Sequence, residues 1–438
     1  MREMKDSGIE WIVEIPKDWK VKRLKYLYDY TDGSPVRVGP FGSELNSKEF
    51  QSEGIWVYNQ RTVLDENFIS NDVFITEEKA KKLSAFTVKT NDILITTRGT
   101  IGKIAIVPKY AEQGIIHPCI IRFRINSKLI LSRYVKYIFN DTDITMNQIF
   151  YKSNGSTIEV LYSYNLRDIL LPLPSIAQQI NITDFLDTQC SEIDATAEDI
   201  QKEISLLEDY KKSVITEAVT KGLNPDAEMK DSGIEWIGEI PKDWDTHPVY
   251  AYFEEGKTKN YRMQEQNLLS LSYGRIIRKD INTNGGLLPA SFNIYNVVEA
   301  GDIIIRPTDL QNDKRSLRTG FVKEQGIITS AYIDLRPKKD VNSEYYHYLL
   351  HSYDIIKVFY NMGNGVRQGL NYSEFAKLLL LEPSQAEQQQ IVDYLNAQCS
   401  EIDTLIADKK RQLDILADYK KSLIYEYVTG KKEVPVNE

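Results

Sequence analysis

The most constraining feature of this sequence is a sixteen-residue segment that occurs twice. Residues 4–19 read MKDSGIEWIVEIPKDW and residues 229–244 read MKDSGIEWIGEIPKDW, so only Val13 and Gly238 differ. Shorter segments repeat at an offset of 209 residues: Cys190–Asp194 with Cys399–Asp403, and Asp209–Ser213 with Asp418–Ser422. This period is far longer than the ~20–50 residues of a solenoid repeat. The sequence therefore predicts two copies of one unit made of a domain and a helix.

Length and composition favour an intracellular globular protein. A chain of 438 residues predicts two to four domains, and 42% hydrophobic residues are enough for a core in each. No apolar run approaches the ~18–20 residues of a membrane span, and the polar N-terminus lacks the apolar stretch of a signal peptide. The three cysteines have no metal-ligand spacing, and Cys190 and Cys399 are repeat mates. These features predict a cytoplasmic location with no membrane contact.

The charge distribution separates the repeated from the unique parts. The chain carries a net charge of −9, but residues 20–174 carry +5 and residues 245–383 carry +1. The segments 184–228 and 387–438 carry −8 and −3. Neutral to basic unique regions are compatible with selective DNA binding, which an overall acidic protein does not exclude.

Each half has three parts: a short repeat, a unique region and a long helix. Short strands rich in β-branched residues, such as 92–96, 119–125 and 302–306, alternate with helical patches and predict an α+β fold for the unique regions. Pro174 and Pro383 precede the predicted helices. The predicted segments are a short repeat 1–19, a first domain 20–174, a helix 175–222, a linker with the second repeat 223–244, a second domain 245–383, a second helix 384–430 and a tail 431–438.

Apolar residues spaced by three and four predict a coiled-coil seam on both long helices. The seam residues are Ile193, Ile200, Ile204 and Leu207 in the first helix, and Ile402, Ile406, Leu413 and Leu416 in the second.

No recognisable catalytic constellation is present in the sequence. His347 and His351 have the i, i+4 spacing of a zinc-protease helix, but Tyr348 stands where the glutamate is required, so we predict no metal site. The glycines at 363–369 do not form a dinucleotide-binding fingerprint, and no P-loop is present. The sequence thus predicts a protein that performs no catalysis itself.

The order and duplication of these segments resemble the specificity (S) subunit of type I restriction–modification systems. The resemblance covers nearly the whole chain and includes Ser7–Ile12 with Ile15–Trp19, their second copies, Gly39–Ser43, Leu171–Gln179 and Asp209–Ser213. The second domain departs from the pattern because it lacks a clear counterpart of Gly39–Ser43.

The resemblance implies a fold and a set of partners. Two mixed α/β target-recognition domains would be separated by two long helices forming an antiparallel coiled coil, with an internal pseudo-twofold repeat. Each domain would read one half of a bipartite target in double-stranded DNA. Two methyltransferase (M) subunits with S-adenosylmethionine would methylate adenine N6, and restriction (R) subunits with ATP and Mg would complete the nuclease. This chain would hold no cofactor.

Arginine, lysine and amide side chains in the unique regions are the candidates for DNA contact, because these groups hydrogen-bond to base edges and phosphates. They are Arg37, Gln60, Arg61, Arg98, Lys103, Asn154, Ser156 and Thr157 in the first domain, and Arg275, Arg278, Arg306, Lys314, Arg315, Arg318, Arg367 and Gln368 in the second. The alternative for each is an ordinary solvated or ion-paired surface residue.

The repeated tryptophans are the candidates for partner contact, since identical surfaces suit two copies of one partner. They are Trp11, Trp19, Trp236 and Trp244. These rings could equally pack inside this chain. Two other functions stay open at this point: a coiled-coil scaffold with no role in DNA binding, and a nuclease with an unfamiliar site.

Overall fold

The computed structural model describes residues 2–152, 160–282, 291–308, 310, 317–362 and 369–435. It divides into two compact units, one made of residues 1–199 and 412–438 and the other of residues 200–411. Each unit therefore contains one of the unique regions, one short repeat and one end of each long helix.

In the first unit, two sheets form the unique region. A four-stranded antiparallel sheet has the order Val36–Val38, Ile120–Phe123, Ile93–Thr96, Ile104–Ile106. A three-stranded sheet has the order Phe74–Ile75, Ile55–Tyr58, Gly114–Ile116, of which the last two strands are parallel. Every residue of the two central strands of the larger sheet is buried, which fits their runs of isoleucine. The helix Ser132–Asn140 buries Tyr134, Val135, Ile138 and Phe139 in the same core.

The second unit repeats this arrangement with different residues. Its first sheet has the order Phe253–Glu255, Ile333–Pro337, Ile303–Ile305, Thr319–Phe321, and its second has the order Arg275–Lys279, Leu268–Ser272, Gly326–Ile328, Asn296–Val298. The helix Ser343–Ile355 occupies the place of Ser132–Asn140, and it places Tyr345 where the first unit has Tyr134. Tyr134 donates a hydrogen bond to Val428 O and Tyr345 to Val219 O, so each domain reaches the end of a long helix in the same way.

The other elements are short. Two-stranded pairs join Lys20–Arg23 to Leu170–Leu173 and Asp245–Pro248 to Leu379–Glu382. The remaining α-helices are Gln60–Leu64, Glu77–Lys82, Ile144–Lys152, Ser163–Arg167, Val249–Tyr252 and Tyr372–Phe375. Single 3-10 turns lie at Leu24–Tyr26, Ser47–Glu49, Ser84–Phe86, Tyr261–Met263, Phe292–Ile294 and Val358–Asn361.

Each short repeat forms a β-hairpin. Met4–Asp6 pairs with Glu14–Pro16, and Met229–Asp231 pairs with Glu239–Pro241 in the same register. The one position that differs between the copies has left-handed backbone in both, with φ of 66° at Val13 and 71° at Gly238. The hairpin packs its buried isoleucines, Ile15 and Ile240 among them, into the core of its own unit.

The two long helices run without interruption over Ile176–Lys221 and Gln385–Val428. All eight seam residues predicted from the sequence are buried or half-buried, while most residues between them are exposed. The second helix stays continuous through Lys409–Arg411, because Lys409 occupies a half-buried seam position and pairs with Glu203 at 2.5 Å.

Within each unit the helices pair in opposite directions. In the first unit, Lys420 near the end of the second helix pairs with Asp194 near the start of the first at 2.6 Å. In the second unit, Lys211 and Asp403 make the equivalent pair at 2.7 Å. The predicted α+β fold with two long, mutually packed helices is confirmed. No helix in the described part of the chain is long and apolar enough to cross a membrane.

Candidate nucleic-acid and partner interfaces

In the first domain, a loop junction brings together several of the predicted DNA contacts. The loop 97–103 follows the buried strand Ile93–Thr96, and its Arg98 is exposed and forms a β-bridge with Val160. Leu161 N donates to Thr97 O at 2.8 Å, which fixes the two segments side by side. A Cβ built on Gly99 would lie 3.3 Å from Nε2 of Gln60, so the amide of Gln60 borders this loop. The loop thus presents a guanidinium beside an amide, two groups that hydrogen-bond to base edges.

The second domain has the same junction. Leu370 N donates to Pro307 O at 2.9 Å, which is the counterpart of the contact between Leu161 and Thr97. Arg306 is half-buried, and its backbone N–H donates to Arg318 O at 2.8 Å across the neck of the loop. In both domains, the backbone just after the central strand, at Thr97 or Pro307, therefore lies beside the backbone at Leu161 or Leu370, which leads towards a long helix.

The structure corrects the prediction for Arg318, which stands where the first domain has Lys103, immediately before the returning strand. Lys103 is half-buried, and its ammonium donates to Asn140 O. Arg318 is fully buried, and its guanidinium donates to Thr308 O at 2.5 Å and lies over the ring of Tyr360 at 5.1 Å. Both cations bind carbonyl oxygens of their own domain; Arg318 is fully buried and is not presented to a ligand, whereas Lys103 keeps part of its surface and stays a predicted contact.

The other described candidates lie apart from the loop junctions. Arg37 is half-buried beside the Phe86 ring on the edge strand Val36–Val38. Arg61 is exposed and pairs with Asp65 at 3.3 Å. On the hairpin strand Arg275–Lys279, Arg275 is exposed and lies 3.3 Å from Asp403, and Arg278 pairs with Glu324. Seven further candidates lie outside the described residues: Asn154, Ser156, Thr157, Lys314, Arg315, Arg367 and Gln368.

The structure also corrects the prediction for two of the four tryptophans. Trp19 and Trp244 are each 1% exposed, because the hairpin that precedes them turns them into the core of their unit. Trp244 Nε1 donates to Glu387 Oε2 at 3.0 Å. Trp11 is half-buried, whereas Trp236 is 45% exposed with its ring edge on Tyr353. Only Trp11 and Trp236 keep surface for a partner.

A second repeated apolar surface was missed from the sequence. Leu206 and Tyr210 are 68% and 54% exposed on the first helix, and their repeat mates Ile415 and Tyr419 are 60% and 51% exposed on the second. Each pair has i, i+4 spacing on the side of the helix away from the seam. The signal was present in the sequence, since the two pairs are related by the offset of 209 residues and lie outside the a and d positions that form the seam.

The two helix histidines are packed within the second domain. The rings of His347 and His351 lie 5.9 Å apart, and no cluster of three His, Cys, Asp or Glu side chains suited to a metal occurs in the described ranges. Burial lowers the pKa of His347 to about 3 and that of His351 to about 4, so both rings are neutral. His351 Nδ1 lies 3.1 Å from Thr319 Oγ1, which indicates a packing role.

Comparison with known proteins agrees with this architecture. Residues 16–206 match the family described as the type I restriction modification DNA specificity domain. Over 449 residues the chain is 26% identical to a protein of Methanocaldococcus jannaschii named for the type I restriction enzyme MjaX specificity subunit, covering 97% of this chain and 96% of that one. The MjaVIII specificity subunit of the same organism is 24% identical over 448 residues, covering 96% and 95%. Over nearly its whole length, the chain is therefore similar to type I specificity subunits.

Two solved structures share the fold of this chain. A chain from a study of assembly and conformational transition of the type I R-M system superposes with a TM-score of 0.71 over 95% of this chain and 99% of that one, at 14% identity. The HsdS subunit of Thermoanaerobacter tengcongensis superposes with a TM-score of 0.52 over 95% and 98%, also at 14% identity. Both structures thus share the fold of this chain although most of their residues differ from it.

Proposed function

We propose that this chain reads a bipartite DNA target, with one half-site recognised by each domain. The observation that carries the proposal is the loop junction, which both domains build in the same place from different residues. Arg98 and Gln60 border it in the first domain, and Arg306 borders it in the second. A common frame with different side chains is what two readers of two different sequences require.

The two long helices would fix the separation of the half-sites. A split target needs a constant distance between its readers, and a pair of continuous helices is a stiff means of setting it. The seam and the ion pairs at both ends support this role, because they hold the helices in one register.

The repeated surfaces would bind two copies of one partner, for which the family suggests the methyltransferase subunits. Leu206 with Tyr210, and Ile415 with Tyr419, offer the same exposed apolar pair twice. Charged side chains of both signs flank the pairs, among them Asp209, which pairs with Lys212 at 2.7 Å, so the partner surface should combine apolar and polar groups. S-adenosylmethionine would then be held by the partner, as would the catalytic groups for adenine methylation, and ATP and Mg would belong to restriction subunits.

The methylome of a host strain tests this proposal. We expect adenine methylation at one split motif, and deletion of this chain should abolish it. A matched strain that carries the Leu206→Glu and Ile415→Glu variants should lose the same methylation if the helix surfaces bind the methyltransferase. Unchanged methylation in the deletion strain would refute the proposal, and it would then favour a scaffold without a role in DNA recognition. Cleavage of DNA by the purified chain alone would instead favour the nuclease alternative.

A further inference from the structure

The first domain carries a basic surface that the sequence analysis did not assign. Lys20, Lys22, Arg23 and Lys25 lie within six residues, and the first acid after them is Asp29. They occupy the strand Lys20–Arg23 and the turn Leu24–Tyr26, and Lys20 and Arg23 are exposed. The strand pairs with Leu170–Leu173, which the helix Ser163–Arg167 precedes, and the exposed Arg167 adds a further cation.

Exposed tyrosines line this basic surface. Tyr26 and Tyr30 are each 63% exposed, and Tyr162 and Tyr164 are 53% and 64% exposed. The rings of Tyr162 and Tyr164 stack on each other with centroids 5.5 Å apart and planes 8° apart. Lys25 Nζ lies 5.3 Å from the ring centroid of Tyr26, so cation and ring share one surface. Four large aromatic rings that are exposed on one surface indicate that a ligand binds there.

The acidic groups nearby leave this surface positive. Asp168 accepts from Arg23 at 2.9 Å and from Lys25 at 3.1 Å, so one carboxylate lies between two cations. Hydrogen bonds from Lys25 and then Arg23 lower the pKa of Asp168, which keeps it ionised. With Lys20, Lys22 and Arg167 added, five cations outnumber Asp168 and the neighbouring Asp18, which already pairs with Arg2 at 2.9 Å, so the surface is complementary to a polyanion.

The equivalent positions of the second domain, as far as the structure describes them, carry no such surface. Its strand Asp245–Pro248 pairs with Leu379–Glu382 in the same register, but it reads Asp-Thr-His-Pro where the first domain reads Lys-Val-Lys-Arg. Asn371 and Ser373 stand where the first domain has Tyr162 and Tyr164. A partner that binds both halves alike would need the surface twice, so its ligand is specific to the first domain.

We propose that this surface binds the phosphate backbone of DNA beside the first half-site, with Tyr162 and Tyr164 packing on sugars or donating to phosphates. Its position supports this assignment, because Val160 and Leu161 are bound to Arg98 and Thr97, and Tyr162 is the next residue. The surface would therefore extend the loop junction along the duplex. The inference rests on the proposed DNA-reading function and adds to it a strip of phosphate contacts in one domain only.

The salt dependence of DNA binding tests the inference. The full chain, assembled with the methyltransferase subunits of its own system, is titrated with a labelled duplex carrying the motif identified by methylation and with a scrambled duplex. A triple variant, Lys20→Gln with Lys22→Gln and Arg23→Gln, should reduce the slope of log affinity against log salt by up to about three, since each lost phosphate contact contributes about 0.9. Both duplexes should be affected, because phosphate contacts carry no sequence information.

Matched variants separate this surface from a general effect of charge or stability. Lys81→Gln with Lys82→Gln and Lys109→Gln removes three exposed lysines elsewhere in the same domain and should leave the slope unchanged. Tyr162→Ala with Tyr164→Ala should weaken binding about tenfold, given ~1.5–3 kcal/mol for a hydrogen bond to a charged group such as a phosphate. Tyr110→Ala, at a residue that is 63% exposed, should not. Phenylalanine at both positions should restore the part of the affinity that comes from ring packing.

The outcomes distinguish a failure of the inference about this surface from a failure of the proposed DNA-reading function. An unchanged salt slope in the triple variant, or an equal loss in the control lysine variant, would overturn the inference about this surface. A wild-type complex that fails to prefer its methylated motif over the scrambled duplex would overturn the proposed function itself.

Discussion

Lys211 on the first long helix donates to Asp403 on the second at 2.7 Å, and the repeat mates of both residues make the same contact in the other unit, where Lys420 meets Asp194 at 2.6 Å. Both lysines are half-buried seam residues that stand where a heptad calls for an apolar side chain. A lysine at such a position meets its aspartate partner in only one register and one direction of the helix pair. The two ion pairs therefore specify the antiparallel pairing in each unit.

Reversing the charge at one residue of this pair should destabilise its unit, and reversing both should restore stability. Asp403→Lys places a second cation against Lys211, and we expect a loss of about 1 kcal/mol in the free energy of unfolding. The double variant Lys211→Asp with Asp403→Lys should recover most of it. Chemical denaturation of the four chains of this mutant cycle gives the coupling energy.

The mate pair provides the control for this cycle. Asp194→Lys should produce a similar loss, because Lys420 and Asp194 are in equivalent positions. Both losses should be smaller in high salt, since Asp403 and Asp194 are 42% and 63% exposed and their charges are screened. Additive single-variant effects, with no recovery in the double variant, would contradict a role in register.

Much of this architecture could be predicted from the sequence because it depends on repeated local patterns. The seam of Ile204 and Ile402 follows from heptad spacing, and the equivalent strands of the two domains follow from matching segments such as Asp92 and Asp302. These signals depend on neighbours along the chain.

Long-range packing decided the features that the sequence did not predict. Trp19 and Trp244 were candidates either for a partner surface or for packing inside the chain, and the hairpin before each turns it into the core. Arg318 was expected on DNA, but helix Ser343–Ile355 supplies Asp354, whose carboxylate accepts from the Arg318 N–H and helps to fix the arginine inside the domain. Residue type alone does not distinguish an arginine that holds a loop from one that contacts a ligand.

The one difference between the two short repeats predicts a stabilising substitution. Val13 has a φ of 66°, and this left-handed backbone is unfavourable for a β-branched residue. Its side chain is 62% exposed, so little burial would be lost on removing it. Val13→Gly should raise the free energy of unfolding of the first unit by about 1 kcal/mol after the greater freedom of glycine in the unfolded chain is included.

The second copy supplies the reciprocal substitution. Gly238→Val should lower the free energy of unfolding of the second unit by a similar amount, because nothing lies within 4 Å of the position its Cβ would take and only the backbone is strained. Thermal unfolding of both variants measures the effect. A destabilised Val13→Gly variant would show that the valine side chain contributes more than its backbone costs.

Substitution by phenylalanine should lower the free energy of unfolding by different amounts at the two buried tryptophans. Trp244 Nε1 donates to Glu387, whereas Trp19 Nε1 finds no acceptor among the described residues. Both Trp→Phe variants leave a cavity, but only Trp244→Phe also leaves a carboxylate without its donor. We therefore expect Trp244→Phe to cost about 1–2 kcal/mol more than Trp19→Phe in urea denaturation. The combination Trp244→Phe with Glu387→Gln, which places the neutral amide of the first copy (Gln178) at this position, should remove most of the difference.

The buried histidines should affect stability at acidic pH. The pKa values of His347 and His351 are lowered to about 3 and 4 by burial, against about 6.5 in the unfolded chain. Between these values the unfolded state binds more protons, so each histidine lowers the free energy of unfolding as pH falls from 6.5 to 4. Relative to the wild type, His347→Phe should therefore become progressively more stable over this window, by up to about 1.4 kcal/mol per pH unit.

For a buried aspartate in the same unit, the change of stability with pH should have the opposite sign. Burial and the neighbouring Asp302 raise the pKa of Asp334 to about 8, so the folded state binds more protons between pH 4 and 8 and loses stability as pH rises. Asp334→Asn should gain stability relative to the wild type in that direction. Urea denaturation at a series of pH values measures both slopes. If the two variants shift the pH profile in the same direction, the assignment of these ionisations is wrong.

The final prediction contrasts two cations of the first recognition domain that lie five residues apart. Arg98 is exposed beside Gly99 and Gln60, whereas Lys103 is half-buried and donates to Asn140 O. Arg98→Ala should leave the free energy of unfolding nearly unchanged and weaken binding of the cognate duplex about tenfold or more, since a base or phosphate contact is worth ~1–3 kcal/mol. Lys103→Met should instead destabilise the domain by about 1 kcal/mol or more, because Asn140 O loses its charged donor. Binding measured on folded Lys103→Met protein should fall less than that of the Arg98→Ala variant. If Lys103→Met impaired binding more than Arg98→Ala at equal folded concentration, the inward position of the lysine would not describe the bound state, and the loop would have to rearrange on DNA.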